Sequence, residues 1–328
     1  MAAIVGQKHG VVWSHVDAVS PWIPAFAPGS QKVALAIEDD HRVLTAVEDI
    51  NIIVAVDAAL SMQMVASLRR LDYTEKVRNR HISSERADPE SPLFDPERAA
   101  MLHARTGRLD EAFWLIFLAT HFGKHPMHGW RRVRDVYSGL GVGIWSWDRV
   151  SAEPDAFRSW LRDNGHRIGG GFGNHRKYES LRTDSAKGTA AVVESYVNWV
   201  GSAHSHAKLV RELVQRGGNH PHNIFDHFFN SMSVTRFGRL GKFDFLALAG
   251  RLDLAPISPG SAYLSGATGP LKGARLLFGG DRCAQLDESM LETWLQDLDA
   301  KLSVGMQVME DSLCNWQKSP THFVHFRG

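Results

Sequence analysis

Apolar positions along this chain recur mainly three and four residues apart, the spacing of amphipathic helices, and rarely alternate as strands do. From Glu38 to Leu71 this pattern predicts two helices with a break near Asp57. The polar, proline-punctuated stretch His81 to Arg98 predicts a loop or linker. LDEAFWLIFLATHFGKH opens on Asp110 and Glu111 and is apolar on every side, which predicts a buried core helix. After Gly129, WRRVRDVYSGLG predicts a basic helix stopped by glycine. SAEPDAFRSWL predicts a short helix with Ser151 as its N-cap. RIGGGFGNHRKYESL predicts a glycine-rich turn running into a basic segment. GTAAVVESYVNWV and SHAKLVRELVQR have helical periods. FDHFFNSMSVTRFGRLGKFDFLALAGRL predicts helix, tight glycine turn, helix. Leu291, Trp294, Leu295, Leu298 and Leu302 form one apolar stripe. With Pro21, Pro24 and Pro28 and little periodicity, the first 35 or so residues predict an irregular arm. The expected fold is mainly α, with an N-terminal arm and linker over 1–100 and a helical domain over 101–328.

Composition narrows the class without choosing a function. The chain has 328 residues, 44% hydrophobic and 22% charged, an ordinary globular balance. Cys283 and Cys314 make no disulfide framework and no C-x-x-C pair, as expected in a reducing compartment. The opening residues lack the pattern of a signal peptide, and no apolar run approaches the ~20 residues of a membrane span. A cytoplasmic protein is expected. The net charge is +1, but its distribution is uneven. Between His121 and Arg182 eleven Lys and Arg face six Asp and Glu, and Ser231 to Phe243 holds Arg236, Arg239 and Lys242 with no acid. A phosphate backbone could dock on such stretches, although a solvated basic face has the same composition.

Several chemistries lack their motifs. There is no G-x-x-x-x-G-K-[ST] loop and no G-x-S-x-G elbow, and GGGFGN lacks the dinucleotide-binding spacing. Seventeen histidines raise the question of a metal, with His220, His222, Asp226 and His227 close in sequence, and His204 beside His206. Ligands must converge from a fixed frame, and surface histidines are the commoner explanation. No metal and no cofactor is expected.

Three segments carry the functional reading. The buried helix ends in THFGKH, presenting His121, Phe122, Lys124 and His125. The glycine-rich turn presents Asn174, His175, Arg176, Lys177 and Tyr178. The third segment, RFGRLGKFDF, places Arg236, Arg239 and Lys242 around Gly238 and Gly241. Glycines there predict a hairpin near Phe237 to Lys242 whose backbone amides approach a phosphate, helped by the following helix N-terminus.

In this order the segments resemble the helix-hairpin-helix DNA glycosylases. The closer resemblance is to the alpha-glutamyl/putrescinyl thymine pyrophosphorylase group, clade three. It covers about Asp110 to Pro320 through FWLIFLATHFGKH, GFGNHRKYESL, GTAAVVESYV, RFGRLGKFDFL, SPGSAYLSGATGPLKGARLLF and LCNWQKSP. It implies a helix-hairpin-helix glycosylase-like fold and action on hypermodified pyrimidines in phage DNA. Some bacterial members look like antiviral defence glycosylases that remove glucosylated hydroxymethylcytosine and leave abasic sites. The implied partner is double-stranded DNA carrying modified pyrimidines.

The chain departs from the glycosylase pattern where a catalytic Asp is expected, about twenty residues beyond the hairpin. Leu254 to Gly280 contains no Asp or Glu, and Phe243 stands where bifunctional members carry a Schiff-base Lys. Breaking an N-glycosidic bond needs a carboxylate near the sugar, donors to the departing base, and a base flipped from the stack. Asp244, just inside the helix after the hairpin, is the first carboxylate candidate and Glu179 the second, ahead of Asp226 and Glu111. A non-catalytic DNA-binding module and an amine-using transferase on modified thymine are the competing classes.

Overall fold

A computed structural model describes residues 42–47 and 52–325. The expected arm over the first 35 residues lies outside them. Strands β1 (Arg42–Val47) and β2 (Ile52–Asp57) pair antiparallel, with Arg42 opposite Asp57 and Val47 opposite Ile52. This corrects the expectation of helix before Asp57. Val43, Thr45, Val47, Ile52, Ile53, Val54 and Val56 are β-branched, stiff at χ1 and better suited to a pleated ribbon than to a helix. Thirteen α-helices follow among the described residues, so the fold is mainly α. None is long and apolar enough to cross a membrane.

The described residues form two compact units that divide at Thr74 and Ser258 rather than near residue 100. The first joins the described residues up to Thr74 to those from Pro259 to His325. Its helices are α1 (Ala58–Arg78, whose last residues belong to the second unit), α11 (Gly269–Gly279), α12 (Glu288–Leu302) and α13 (Met306–Trp316). Leu60, Met64, Val65 and Leu68 of α1 share one apolar core with the stripe Leu291, Trp294, Leu295, Leu298 and Leu302 of α12. That shared burial is why α1 groups with the C-terminal helices. Asp287 caps α12 by accepting from Ser289 and Met290 amides. The Ser- and Gly-rich segment before α11 is tied down by Glu292, which accepts from the Ala262 amide at 3.0 Å and from the Leu264 amide.

The second unit, Glu75–Ser258, is built around α3 (Leu109–Phe122), in which every residue from Ala112 to Phe122 is buried. Preceding it is α2 (Pro96–Arg105), inside and beyond the expected linker. Pro96 starts it, and Asp95 caps it by accepting from the amides of Glu97 and Arg98 at 3.2 Å. Then come α4 (Arg131–Tyr137), α5 (Trp147–Ala152), α6 (Pro154–Asn164), α7 (Thr189–Val200), α8 (His206–Gly217), α9 (Pro221–Ser231) and α10 (Arg239–Arg251). Ser151 is not the N-cap expected of it. It lies inside α5, whose cap is Ser146, because Trp147 and Val150 are buried and pull this turn into the fold.

Aromatic rings fill the centre of this unit. Phe117 stacks on Tyr196 at 3.8 Å between ring centroids and on Phe237 at 5.2 Å. Trp114 Nε1 donates to Trp145 O at 2.7 Å, so this buried ring has its polar atom satisfied.

Candidate nucleic-acid interface

The three segments singled out in the sequence meet in the second unit, and hydrogen bonds join them. Gly123 caps α3 at φ 66°, a left-handed value that suits glycine. A Cβ on Gly123 would stand 3.1 Å from the Gly173 Cα, so the two backbones cross at a distance only glycines allow. The Gly173 amide donates to Phe122 O at 2.8 Å. The glycine-rich segment then reaches α10 and the turn before it through one ion pair each. Arg176 donates to Asp244 Oδ2 at 3.1 Å. Arg236 holds Glu179 in a fork, with Nε 3.1 Å from both carboxylate oxygens and its other nitrogen 2.9 Å from Oε1.

The turn differs from the expected hairpin. It runs from Met232 to Gly238, and its left-handed position is Arg236, at φ 66°, not a glycine. Gly238 is the N-cap of α10 at φ −70° and, being glycine, brings no capping side chain of its own. Gly241 lies inside α10, where a Cβ would come within 3.2 Å of the Phe237 ring and 3.3 Å of an Arg176 nitrogen. Its smallness serves packing, while Gly238 adds no cap to the helix-terminal amides. Of the glycines before Phe172, Gly170 is the constrained one, at φ 67° with a Cβ there only 3.0 Å from the Arg132 backbone nitrogen.

Burial sorts the candidate residues. His121 and Phe122 are inside the protein. His121 Nε2 bonds Thr189 Oγ1 at 3.0 Å, and its ring stacks on Phe117. Burial, with the neighbouring Arg176 and Arg236 charges, lowers the His121 pKa to about 3, so its imidazole is neutral. Lys124, Asn174, His175, Lys177 and Tyr178 are exposed, Tyr178 at 79%. Lys177 Nζ lies 5.1 Å from the Tyr178 ring centroid. His125 Nδ1 accepts the amides of Met127 at 3.2 Å and His128 at 3.1 Å. Arg239 lies over the Phe243 ring at 4.8 Å. Lys242 Nζ donates to Phe229 O at 3.1 Å, and burial lowers its pKa.

The two carboxylate candidates differ. The Glu179 side chain is 8% exposed and closed off by Arg236, whereas Asp244 is 42% exposed beside Arg176. Loss of hydration raises the Asp244 pKa, opposed first by Arg176, then by His175, Arg239 and Arg251; its open side limits the rise. Glu111 sits at the far end of α3, roughly 15 Å from His121 at the helical rise of about 1.5 Å per residue. It accepts from the Tyr137 hydroxyl at 2.5 Å and the Trp147 amide at 2.8 Å, and lines a separate cavity of about 790 Å³ with Asp88, His103, Asp110 and Asp148. Among the described residues no three His, Cys, Asp or Glu side chains are grouped to hold a metal ion.

Sequence reasoning set Arg176 on the presented face of the turn and left Arg132 out of the site. Arg176 is 8% exposed beneath the loop, and Arg132 pins the glycine-rich segment by donating to Gly169 O at 3.2 Å and Gly170 O at 3.0 Å. WRRVR signals basic charge, but nothing local reveals these partners.

A sequence profile of the family described as alpha-glutamyl/putrescinyl thymine pyrophosphorylase clade 3 matches residues 55–328. No curated protein and no solved structure matches the chain.

Proposed function

The chain belongs to the alpha-glutamyl/putrescinyl thymine pyrophosphorylase clade 3 family, and from that premise we propose that it is an enzyme acting on a modified pyrimidine in DNA. The finer reading is a monofunctional DNA N-glycosylase with a helix-hairpin-helix-like body, which excises a bulky 5-substituted pyrimidine such as glucosylated 5-hydroxymethylcytosine from phage DNA. One observation carries it: three distant segments converge, and there a half-exposed carboxylate, Asp244, pairs with Arg176 and feels the charges of His175 and Arg239, on segments that also carry exposed Lys124, Lys177 and Tyr178.

In this reading the amides at the start of α10, with Arg239 and Lys177, take the phosphates. Tyr178 stacks on a base or sugar. Asp244, held by Arg176, faces the positive charge that builds on the sugar as the C1′–N bond breaks and its electron pair leaves with the base. Water supplies the new C1′–O bond and gives its proton to the carboxylate. With Phe243 in place of a Schiff-base Lys, the product is an abasic site in an uncut strand.

The test incubates purified protein with unmodified, hydroxymethylated and glucosylated duplexes, followed by alkali. Alkali-labile sites confined to modified DNA, with turnover lowered a few orders of magnitude by Asp244→Asn while binding persists, support the reading. Binding without labile sites in any duplex overturns it. Base alteration that requires an added amine turns it into the transferase alternative.

A further inference from the structure

The cavity of about 790 Å³ at the far end of α3 takes no part in the proposed chemistry, and its wall is strongly acidic. Asp88, Asp110, Glu111 and Asp148 line it against a single guanidinium, Arg108. Glu111 uses both carboxylate oxygens inside the protein, on the Tyr137 hydroxyl and the Trp147 amide. Asp110 keeps one oxygen free. Its Oδ1 accepts the His206 amide at 2.5 Å and the ring Nδ1 at 2.8 Å, while Oδ2 has no partner among the described residues. Burial raises the Asp110 pKa, but the bonds from His206 outweigh it and keep the carboxylate ionised. His103 lines the same cavity, only 7% exposed, and its Nδ1 has no hydrogen-bond partner. Burial, then the Arg108 charge, lowers its pKa to about 4, so at neutral pH the imidazole is uncharged and keeps one nitrogen as an acceptor. A buried polar atom left unbonded is costly, so the fold gains from a ligand that donates to it.

We propose that this cavity binds a guanidinium group, carried by a small molecule or by an arginine side chain of a protein partner. The negative wall selects a cation. Among the described residues no three His, Cys, Asp or Glu side chains converge on one point, so a compact cation such as a metal ion or an ammonium finds no cage. A guanidinium is flat, carries five donors and is weakly hydrated, so it reaches separated acceptors at a lower desolvation cost. The rim also suits an apolar neighbour beside the charge, because Ile144 at the cavity and Val142 two residues before it are both exposed. None of this depends on reading the other end of α3 as a DNA surface.

Calorimetric titration of the full chain tests this with four probes: the N-acetyl amides of arginine, lysine and the neutral isostere citrulline, and the peptide acetyl-Leu-Arg-Leu-amide. Expected is binding of the arginine amide about tenfold tighter than of the lysine amide, and none of the citrulline amide. Asp110→Asn keeps an acceptor for His206, and Asp148→Asn and His103→Leu break no side-chain hydrogen bond. Each of the three should weaken the arginine amide about tenfold, with thermal melting and duplex binding like the parent's. Peptide binding tighter than the arginine amide by about tenfold or more assigns the site to a partner's side chain, and a smaller difference assigns it to a small molecule. A lysine amide bound as tightly as the arginine amide overturns the proposal. So does arginine binding that none of the three variants weakens, or no binding of any probe.

Discussion

Arg176 and Asp244 meet at 3.1 Å although 68 positions separate them in the chain. Arg176 is the strongest of the charges holding the Asp244 carboxyl down against its loss of hydration. An Asp244 that must be ionised for turnover therefore gives an acid limb in kcat/KM above the ordinary aspartate value of 3.8. Arg176→Met removes the main lowering influence, so the limb moves to higher pH. Profiles of the parent and variant on glucosylated duplex check this, and an unmoved limb assigns the titration to another group.

His121 gives a prediction about stability. Its folded pKa of about 3 lies below the ordinary 6.5, so the unfolded chain takes up a proton first as the pH falls. Above pH 6.5 the residue has no effect. From there toward pH 3 it costs the fold stability, with a slope of up to about 1.4 kcal/mol per pH unit. His121→Phe abolishes this component. Urea denaturation across the interval measures it, and parallel curves for the two proteins refute it.

Parts of the fold and of the site are legible in the sequence and parts are not, for local reasons. The stripe from Leu291 to Leu302 and the all-round apolar α3 are set by spacing within one element, and both are buried as that spacing implies. The β1–β2 ribbon was missed because apolar spacing outweighed a β-branched composition. The burial of His121 was available in principle, since it stands four residues after Phe117 on an apolar helix. Its basic neighbours drew it to the surface instead. Arg176 and Lys177 are adjacent and alike in sequence, yet one lies under the loop and the other in solvent. Only the distant partner Asp244 separates them. Gly241 was read as a turn residue because its packing against Phe237 and Arg176 leaves no local trace.

The basic residues divide into two groups with opposite signatures. Lys177 is exposed and Arg239 flanks the start of α10, so their alanine variants should lower the salt dependence of DNA binding, each by about one unit of slope. Lys242→Ala should instead lower stability by about 1 kcal/mol, because its ammonium joins α10 to the Phe229 carbonyl near the end of α9. Binding titrations at several salt concentrations, paired with thermal melts, separate the groups. A Lys242→Ala slope change matching that of Lys177→Ala would place all three on phosphates.

The Arg236–Glu179 fork tests whether the convergence of segments orders the DNA-facing loop. Arg236 holds a left-handed backbone at φ 66° while its side chain grips Glu179 and reaches Tyr178 O at 3.4 Å. Two effects therefore oppose each other at one residue. Arg236→Ala loses the ion pair and keeps the unfavourable backbone, whereas Arg236→Gly loses the pair and relieves it, so the glycine variant should be more stable than the alanine variant by about 1 kcal/mol. A double-mutant cycle with Glu179→Gln should give a coupling of about 1–3 kcal/mol, because the Glu179 side chain is largely covered and would be left without its partner. The loop carrying Lys177 and Tyr178 hangs on this pair, so each single variant should also weaken duplex binding severalfold although Glu179 itself is shielded from solvent. Coupling near zero in chemical denaturation, with duplex binding unchanged, would mean that the loop is positioned by Arg132 and Arg176 alone.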